Sequence, residues 1–343
     1  MDENRLLTVL GQILAQPTAP FHEYSVRDAI SGLLSGQPDI RLELDPFGNL
    51  LAYYEGSDSP PRWAFGSHMD HPGWVRSLPA DTPGIPEVSA LRQRDGFTFL
   101  GGVPDPYFES RAPIREFGDF AMWDLVDFEI DGDRISSRAC DDLIGCAAIV
   151  SALLELQEAK SDTSCVGVFT RAEEVGFVGA VQLARAWPLP PDCIFLSVET
   201  SVATGTAKMG DGPMGRVGDR LSIFDSEATA TLLELAAKHE LPIQRALLDR
   251  GACEATAMQA YGIKTAGISL PLGNYHNCGE DQQIRAEQVS LGDVKSLVAL
   301  LTAVANDCPG GPLDTTASLR DRLDARADSY QPYAEAAEKG TAS

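Results

Sequence analysis

Four apolar, strand-like segments of this sequence end in side chains of the types that bind divalent metal ions. The residues at these ends are His68 and Asp70 after WAFGS, Glu173 and Glu174 after CVGVFTRA, Glu199 after CIFLSV, and His276 after TAGISLPLGNY. Hydrophobic burial explains one polar strand end, but not four that all offer imidazole or carboxylate. These are the ligands expected for zinc or a similar cation where thiolates are absent.

A further pair of carboxylates, Asp141 and Asp142, begins the helix-like segment DDLIGCAAIV. One of the pair is expected to cap this helix. Two cations about 3.5–4 Å apart need a bridging ligand, and a carboxylate can bridge because its two oxygens can bind different ions. One carboxylate of the pair could be this bridge, and each cation would then have one histidine and one terminal carboxylate.

Such a pair of cations lowers the pKa of a water molecule and polarises a substrate carbonyl. A further carboxylate, which is not itself a ligand, removes the proton from the water and passes it to the leaving amine. The adjacent pair Glu173–Glu174 offers a ligand and such a base, because neighbouring side chains leave the backbone in different directions. The predicted chemistry is therefore hydrolysis by an activated water.

The elements that must position these residues alternate between strands and helices. Apolar spacing predicts helices over 3–14 and 25–35, then strands leading to Asp70, and helices alternating with buried-type strands from residue 139 onward. This alternation predicts an α/β fold with a mixed, mostly parallel sheet flanked by helices. Since the carboxyl ends of parallel strands meet at one edge, the polar ends are expected to come together there.

The domain organisation is inferred from a change in amino-acid composition after Asp70. Residues 71–136 are rich in Pro, Gly and aromatic residues with short alternating runs, and no helix is predicted there. We interpret them as a small, barrel-like β-rich domain inserted into the main domain. The predicted divisions are 1–70 and 137–310 for the catalytic domain, 71–136 for the insert and 311–343 for a polar C-terminal tail.

Two local expectations concern segments beside the site. The glycine-rich KMGDGPMGRVGD (208–219) lacks the Lys-Ser/Thr ending of a phosphate loop and is predicted to be a flexible loop. The segment EQVSLGDVKSLVALLTAVAND (287–307) is predicted to be one long final helix.

Five motifs of the chain resemble those of the M42 aminopeptidases, the glutamyl-aminopeptidase and tetrahedral-aminopeptidase group of metallopeptidase clan H. Their order and spacing match across nearly the whole predicted catalytic domain, and the β-rich segment falls where that family carries its own insert. The motifs are GSHMD (66–70), ACDDLIGCA (139–147), FTRAEEVGFVGA (169–180), SVET (197–200) and NYHN (274–277).

The resemblance implies a role for each candidate residue. It implies Glu173 as the general base, and Asp70 as the group behind His68 that fixes the orientation of its imidazole. It implies two divalent cations per subunit, with Zn²⁺ expected and Co²⁺ or Mn²⁺ as alternatives. The implied ligands are His68, Asp141 as the bridge with a cis peptide bond after it, Glu174, Glu199 and His276.

The sequence departs from the family pattern in three places. GACEA (251–255) stands where the family reads GTDAG-like, Leu143 replaces the basic residue of the usual DDR, and Glu199 replaces the usual Asp. Because the first segment lies near the substrate in the family, the preferred N-terminal residue does not carry over. Glu254 and Arg216 are the candidate substrate contacts.

Composition excludes several classes of partner. The net charge of −23 and the pI near 4.5 disfavour nucleic acid and anionic membranes. The N-terminal segment lacks the basic region of a signal peptide, and no run approaches the roughly 20 apolar residues of a membrane helix. The seven scattered cysteines include no CxxC pair, which indicates reduced thiols in a cytoplasmic protein.

The sequence therefore predicts a cytoplasmic di-metal aminopeptidase that removes N-terminal residues from peptides. The resemblance also implies a homo-oligomer, with a dodecamer among its forms. Two alternatives stay open. One is an N-acyl amino acid deacylase or another amidohydrolase on the same scaffold, and the other is a non-catalytic assembly or binding protein that retains the fold.

Overall fold

The computed structural model describes residues 2–76, 92–203 and 205–341 of the 343-residue chain. Residues 77–91, which belong to the predicted insert, lie outside the described residues. The strands are β1 Ile40–Leu44, β2 Leu50–Glu55, β3 Trp63–His68, β4 Gly73–Arg76, β5 Gln93–Arg94, β6 Phe97–Leu100, β7 Ile114–Glu116, β8 Phe120–Trp123, β9 Glu129–Asp131, β10 Arg134–Ser137, β11 Ser164–Thr170, β12 Ile194–Ser201, β13 Met214–Asp219, β14 Gln244–Leu248, β15 Thr265–Pro271 and β16 Glu287–Ser290.

One large mixed sheet forms the centre of the molecule, with the strand order β1-β2-β11-β3-β12-β15-β13-β14. Its neighbouring strands β11, β3, β12 and β15 run parallel to one another. Their carboxyl ends therefore share one edge of the sheet. The predicted α/β fold with a mostly parallel central sheet is confirmed.

Helices cover both faces of this sheet. The helices are α1 Glu3–Leu14, α2 Tyr24–Leu34, α3 Pro106–Glu109, α4 Leu143–Ala159, α5 Val178–Arg185, α6 Ser226–Lys238, α7 Glu254–Ala260, α8 Leu291–Asp307 and α9 Thr315–Thr341. On one face α4 packs between α1, α8 and β3, and it is buried along most of its length because its residues are apolar on nearly all sides. On the other face Leu183 of α5 and Met258 of α7 share a core with Val166 and Phe195 of the sheet.

Most of the β-rich segment folds into a separate antiparallel sheet with the order β5-β6-β4-β8-β7. Its last strands, β9 and β10, instead form an antiparallel sheet with β16, in the order β16-β10-β9. Trp74, Phe99, Phe108 and Trp123 form the core of the larger of these two sheets, with ring centroids between 4.9 and 5.8 Å apart. The short helix α3 lies within this segment, so the expectation that it has no helix is wrong. The domain boundaries themselves stay a prediction.

Two local expectations are wrong. The glycine-rich segment 208–219 is not a loop throughout, because its second half is β13, which pairs with β15 and β14 inside the sheet. The segment 287–307 is not one helix, because its first four residues form β16, which pairs with β10. The helix begins only at Leu291, after the cap Ser290, whose side chain accepts the N–H of Asp293.

The C-terminal segment forms α9, much of whose surface is exposed, including Leu319, Leu323, Tyr330 and Tyr333. Within the described ranges, no helix has both the length and the apolar character needed to cross a membrane.

Candidate metal centre

Asp141 lies between two histidines at the carboxyl edge of the central sheet. Nε2 of His68 lies 3.3 Å from Oδ1 of Asp141, and Nε2 of His276 lies 3.5 Å from Oδ2. All three side chains are buried. The peptide bond between Asp141 and Asp142 is cis. The two distances show that the imidazoles of His68 and His276 face different oxygens of the Asp141 carboxylate.

Each histidine also lies beside a second carboxylate. Oε2 of Glu174 lies 3.2 Å from Nε2 of His276, and Oε2 of Glu199 lies 3.9 Å from Nε2 of His68. Possible ligand atoms of Asp141, Glu174 and His276 lie within 4.8 Å of one another. The arrangement has two halves, each with one imidazole, one terminal carboxylate and one oxygen of Asp141.

Asp142 belongs to the His68 half of the site. Its carboxylate forms a group with His68 and Glu199 in which possible ligand atoms again lie within 4.8 Å of one another. One oxygen accepts a hydrogen bond from Ser67, while Oδ1 is buried without a hydrogen-bond partner among the described residues. Asp142 is thus a neighbour of the centre that the family pattern did not single out.

Asp70 ties the end of β3 to the loop that carries the glutamate pair. Its two oxygens accept the backbone N–H groups of Glu173 at 2.9 Å and Glu174 at 3.1 Å. Oδ1 of Asp70 also lies 3.5 Å from Nδ1 of His68. Possible ligand atoms of His68, Glu173 and Glu174 lie within 4.8 Å of one another, so Glu173 faces the centre as well.

The electrostatics of the site reflect crowded, buried carboxylates. Burial raises the pKa of Glu173, and it raises the pKa of Glu199 to about 8. Burial also opposes ionisation of Asp141, but hydrogen bonds with His276 and His68 outweigh it and lower the pKa of that carboxyl. Burial disfavours the charged form of both histidines, yet the neighbouring carboxylates outweigh it and raise the pKa of each imidazole.

This donor set fits divalent cations. Oε1 of Glu174 is buried and, like Oδ1 of Asp142, has no hydrogen-bond partner in the part of the chain that the structure describes. Uncompensated negative charge of this kind is costly to bury. Cations bound between the two halves would compensate the charge and use the oxygen and nitrogen ligands that zinc and similar ions take.

Three buried residues that touch the centre were not among the predicted site residues. Glu287 accepts hydrogen bonds from the backbone N–H groups of Asp141 and His276. Nδ1 of His71 lies 2.6 Å from the carbonyl oxygen of Asp141, and its Nε2 lies 3.0 Å from Oδ1 of Asn277. Asn277 stood within the motif NYHN, and no feature of the sequence indicated the contacts of His71. For Glu287 the sequence did contain a signal. Ser290 is a typical helix-capping residue, so the helix could be expected to begin after Ser290 and to exclude Glu287.

The predicted substrate contacts lie in different surroundings. Arg216 of β13 is 1% exposed and lines a cavity of about 750 Å³ that also includes His68, Glu173 and His276. Its guanidinium lies over the ring of Phe224, and none of its three nitrogens has a hydrogen-bond partner among the described residues. Glu254, at the start of α7, is buried, and burial raises its pKa to about 7.

A family model and a curated relative match the chain. The model of the M42 glutamyl aminopeptidases matches residues 105–299, which is more than half of the chain. A protein of Acetivibrio thermocellus described as a "Putative aminopeptidase" is 27% identical over 342 residues, covering 88% of this chain and 98% of that protein.

Solved structures share the fold. The aminopeptidase APDkam598 of Desulfurococcus kamchatkensis superposes with a TM-score of 0.68 at 22% identity, covering 90% of this chain and 96% of its own. The TET1 peptidase of Pyrococcus horikoshii, described as able to assemble into a tetrahedron or a large octahedral shell, has a TM-score of 0.68 at 20% identity. That likeness covers 88% of this chain and 99% of the other.

Proposed function

Since this chain belongs to the M42 glutamyl aminopeptidase family, we propose that its metal centre holds two divalent cations and hydrolyses the N-terminal peptide bond of peptides. Membership of the family makes the protein a metal-dependent aminopeptidase. The number of cations, their ligands and the catalytic base are the parts that we propose. The observation that carries them is the position of Asp141, with a different histidine beside each of its oxygens.

In the proposed assignment Asp141 would be the ligand shared by the two cations. His68 and Glu199 would complete one site, and His276 and Glu174 would complete the other. Zn²⁺ suits these ligands, and Co²⁺ or Mn²⁺ suits them as well. When bound, the cations supply a lowered pKa for the attacking water and polarisation of the scissile carbonyl.

The remaining steps belong to the side chains of the chain itself. Glu173 takes a proton from the attacking water through a carboxylate oxygen and delivers it to the nitrogen of the leaving amine. Asp70 positions both His68 and Glu173, because its carbonyl oxygen lies 3.1 Å from Nδ1 of His68 and its carboxylate accepts the backbone N–H of Glu173. The raised pKa of Glu173, caused by burial, suits a group that must both accept and return a proton.

A pair of matched peptides tests the function against the deacylase alternative. We expect the protein supplied with Zn²⁺ or Co²⁺ to release the first residue of a peptide with a free amino terminus and to leave the same peptide with an acetylated terminus intact. Removing the metal with a chelator should abolish turnover, and adding it back should restore it. Release of acetate from the blocked peptide would instead favour the deacylase, and inactivity towards both peptides with metal bound would favour a binding protein.

We also propose that Arg216 receives a carboxylate of the substrate. A buried guanidinium without hydrogen-bond partners is costly, so a ligand that supplies an anionic acceptor gains binding energy there. The carboxylate comes either from an acidic N-terminal side chain or from the C-terminus of a short peptide. The buried carboxylate of Glu254 directly follows Cys253, which lines the same cavity, and we propose it as the group that receives the protonated amine of the substrate.

Replacing Arg216 by Met should remove a preference for charged substrates. We expect the wild-type protein to favour N-terminal Glu over Gln, or a free over an amidated C-terminus, and R216M to lose about 10–100-fold in kcat/KM for the charged member only, which is the size of a charge-assisted hydrogen bond. Comparing the two substrate pairs identifies the source of the carboxylate. Arg245→Met, at an exposed position of β14, is the control. An equal loss for charged and uncharged substrates would contradict the proposed role.

Assembly and compartment are further proposals. The assemblies described for the TET1 peptidase support a homo-oligomer here. All seven cysteines are free, which supports a reducing compartment such as the cytoplasm. Light scattering coupled to gel filtration tests the assembly, and a monomer at all concentrations would overturn it.

A further inference from the structure

Glu287 joins the two backbone segments that carry Asp141 and His276. Its Oε2 accepts the N–H of Asp141 at 2.9 Å, and its Oε1 accepts the N–H of His276 at 2.8 Å. The side chain is fully buried, with 0% exposure. Both carboxylate oxygens of Glu287 therefore accept hydrogen bonds from the main chain of proposed metal ligands.

The backbone around His276 depends on contacts of this kind to keep its conformation. Asn274, His276 and Asn277 all have a positive φ, at 56°, 53° and 62°. Residues other than glycine adopt this region at a cost in free energy, and they keep it only where the surrounding contacts impose it. The hydrogen bond from the N–H of His276 to Glu287 is one such contact.

The position of Glu287 is itself well fixed. It is the first residue of β16, which pairs with β10 in the register Glu287 opposite Ser137. The chain runs from β10 directly to Asp141, and a bridge between Gly273 and Gln288 joins the other side of β16 to the segment before His276. Glu287 therefore sits on a rigid strand between the two ligands.

We propose that Glu287 is a positioning residue of the metal centre, whose carboxylate sets the placement of Asp141 and His276 and thereby the affinity of the cation site that they form with Glu174. This inference rests on the proposed di-metal function. Glu287 holds these two backbone N–H groups whether or not a cation is bound, so it contributes to the fold as well as to the placement of the ligands. A residue that served only the fold would leave the affinity for a cation unchanged.

The isosteric change Glu287→Gln separates these possibilities. The amide keeps one acceptor but presents an N–H₂ group to the other backbone N–H, so the hold on one ligand is lost. With Co²⁺ alone as the probe, titration of the metal-stripped variant should show an affinity about 10–100-fold weaker at one of the two sites, the range typical for groups that orient metal ligands. The visible absorption of the bound Co²⁺ should change, because the ligands around it are displaced. A modest fall in the unfolding temperature of the metal-free variant is compatible with this role, because one buried backbone N–H group loses its acceptor.

Asp293→Asn is the matched control. Asp293 is equally buried, and its two oxygens also accept backbone N–H groups, from Gly210 and Gly212 at 2.8 Å each, but neither glycine is a proposed ligand. The control should keep the Co²⁺ affinity and spectrum of the wild type. Should Glu287→Gln fail to fold, Glu287→Asp keeps the charge but is too short to reach both N–H groups, and it should weaken Co²⁺ binding in the same way.

The outcomes distinguish the two proposals. A variant of Glu287 with wild-type Co²⁺ affinity and spectrum overturns the positioning role and leaves the metal centre standing. So does a loss of affinity that the Asp293 control shares equally. If the wild-type protein itself binds no Co²⁺, the proposed function fails first.

Discussion

Replacing Glu173 by Gln should reduce turnover about 10³-fold, within the range attributed to general acid–base catalysis, while both cations stay bound. The amide is nearly isosteric and keeps the backbone N–H that Asp70 accepts, so the loop should hold its place. It has no basic oxygen that can take a proton from water. Measuring kcat together with metal content by elemental analysis separates the loss of the base from the loss of a ligand.

Two comparisons make this result specific. Glu129→Gln changes an exposed glutamate in the same way and should be silent. Glu174→Gln alters a proposed ligand and should lower the metal content first, with activity returning in part at high metal concentration. A Glu173→Gln enzyme with wild-type kcat would show that another group moves the proton.

Replacing Asp141 by Asn should have a still broader effect, because both halves of the centre share this residue. Only one oxygen remains, so at least one cation should be lost, and the site that keeps an oxygen should bind more weakly. A loss of several kcal/mol of transition-state stabilisation corresponds to a fall in kcat/KM of about 10³-fold or more. Isothermal titration of the metal-free variant should give a stoichiometry of one or fewer where the wild type gives two.

A less central ligand provides the contrast. Glu199→Gln touches only the His68 half and should leave the His276 site close to its wild-type affinity. If Asp141→Asn loses one cation and binds the other with wild-type affinity, Asp141 is a terminal ligand and not a bridge.

Much of the site could be predicted because strand order and strand ends obey simple rules. His68 ends β3, Glu199 lies near the end of β12, and His276 follows shortly after β15. Parallel strands bring such ends to one edge of the sheet. The spacing of residues along the chain does not reveal which carboxylate oxygen faces which histidine. That detail depends on the backbone after β10, which the sequence pattern does not describe.

The residues that were missed belong to segments where local pattern and tertiary structure disagree. Glycines normally weaken a strand, so the segment of β13 reads as a loop. In the fold, Gly218 lies where an added Cβ would come within 2.5 Å of the carbonyl oxygen of Ser222, so close packing requires the glycine. The apolar spacing of 287–307 predicts a helix that includes Glu287, whereas the helix begins four residues later, at Leu291.

The burial of Arg216 was beyond any sequence rule. The glycine-rich pattern around Arg216 predicts a flexible loop, whereas pairing of β13 with β15 buries this arginine in the sheet beside Phe224. The absence of hydrogen-bond partners around the Arg216 guanidinium can be recognised only when all the described neighbours are known. The sequence therefore did not indicate that this arginine could bind a substrate carboxylate.

The most direct test of the proposed di-metal centre is the anomalous scattering of a crystal soaked in Zn²⁺, collected on both sides of the zinc absorption edge. We expect two peaks per subunit, about 3.5–4 Å apart, with the carboxylate of Asp141 between them. One peak should lie beside His68 and Glu199, and the other beside His276 and Glu174. Zinc bound only elsewhere, or a single peak that does not touch Asp141, would contradict the centre proposed here.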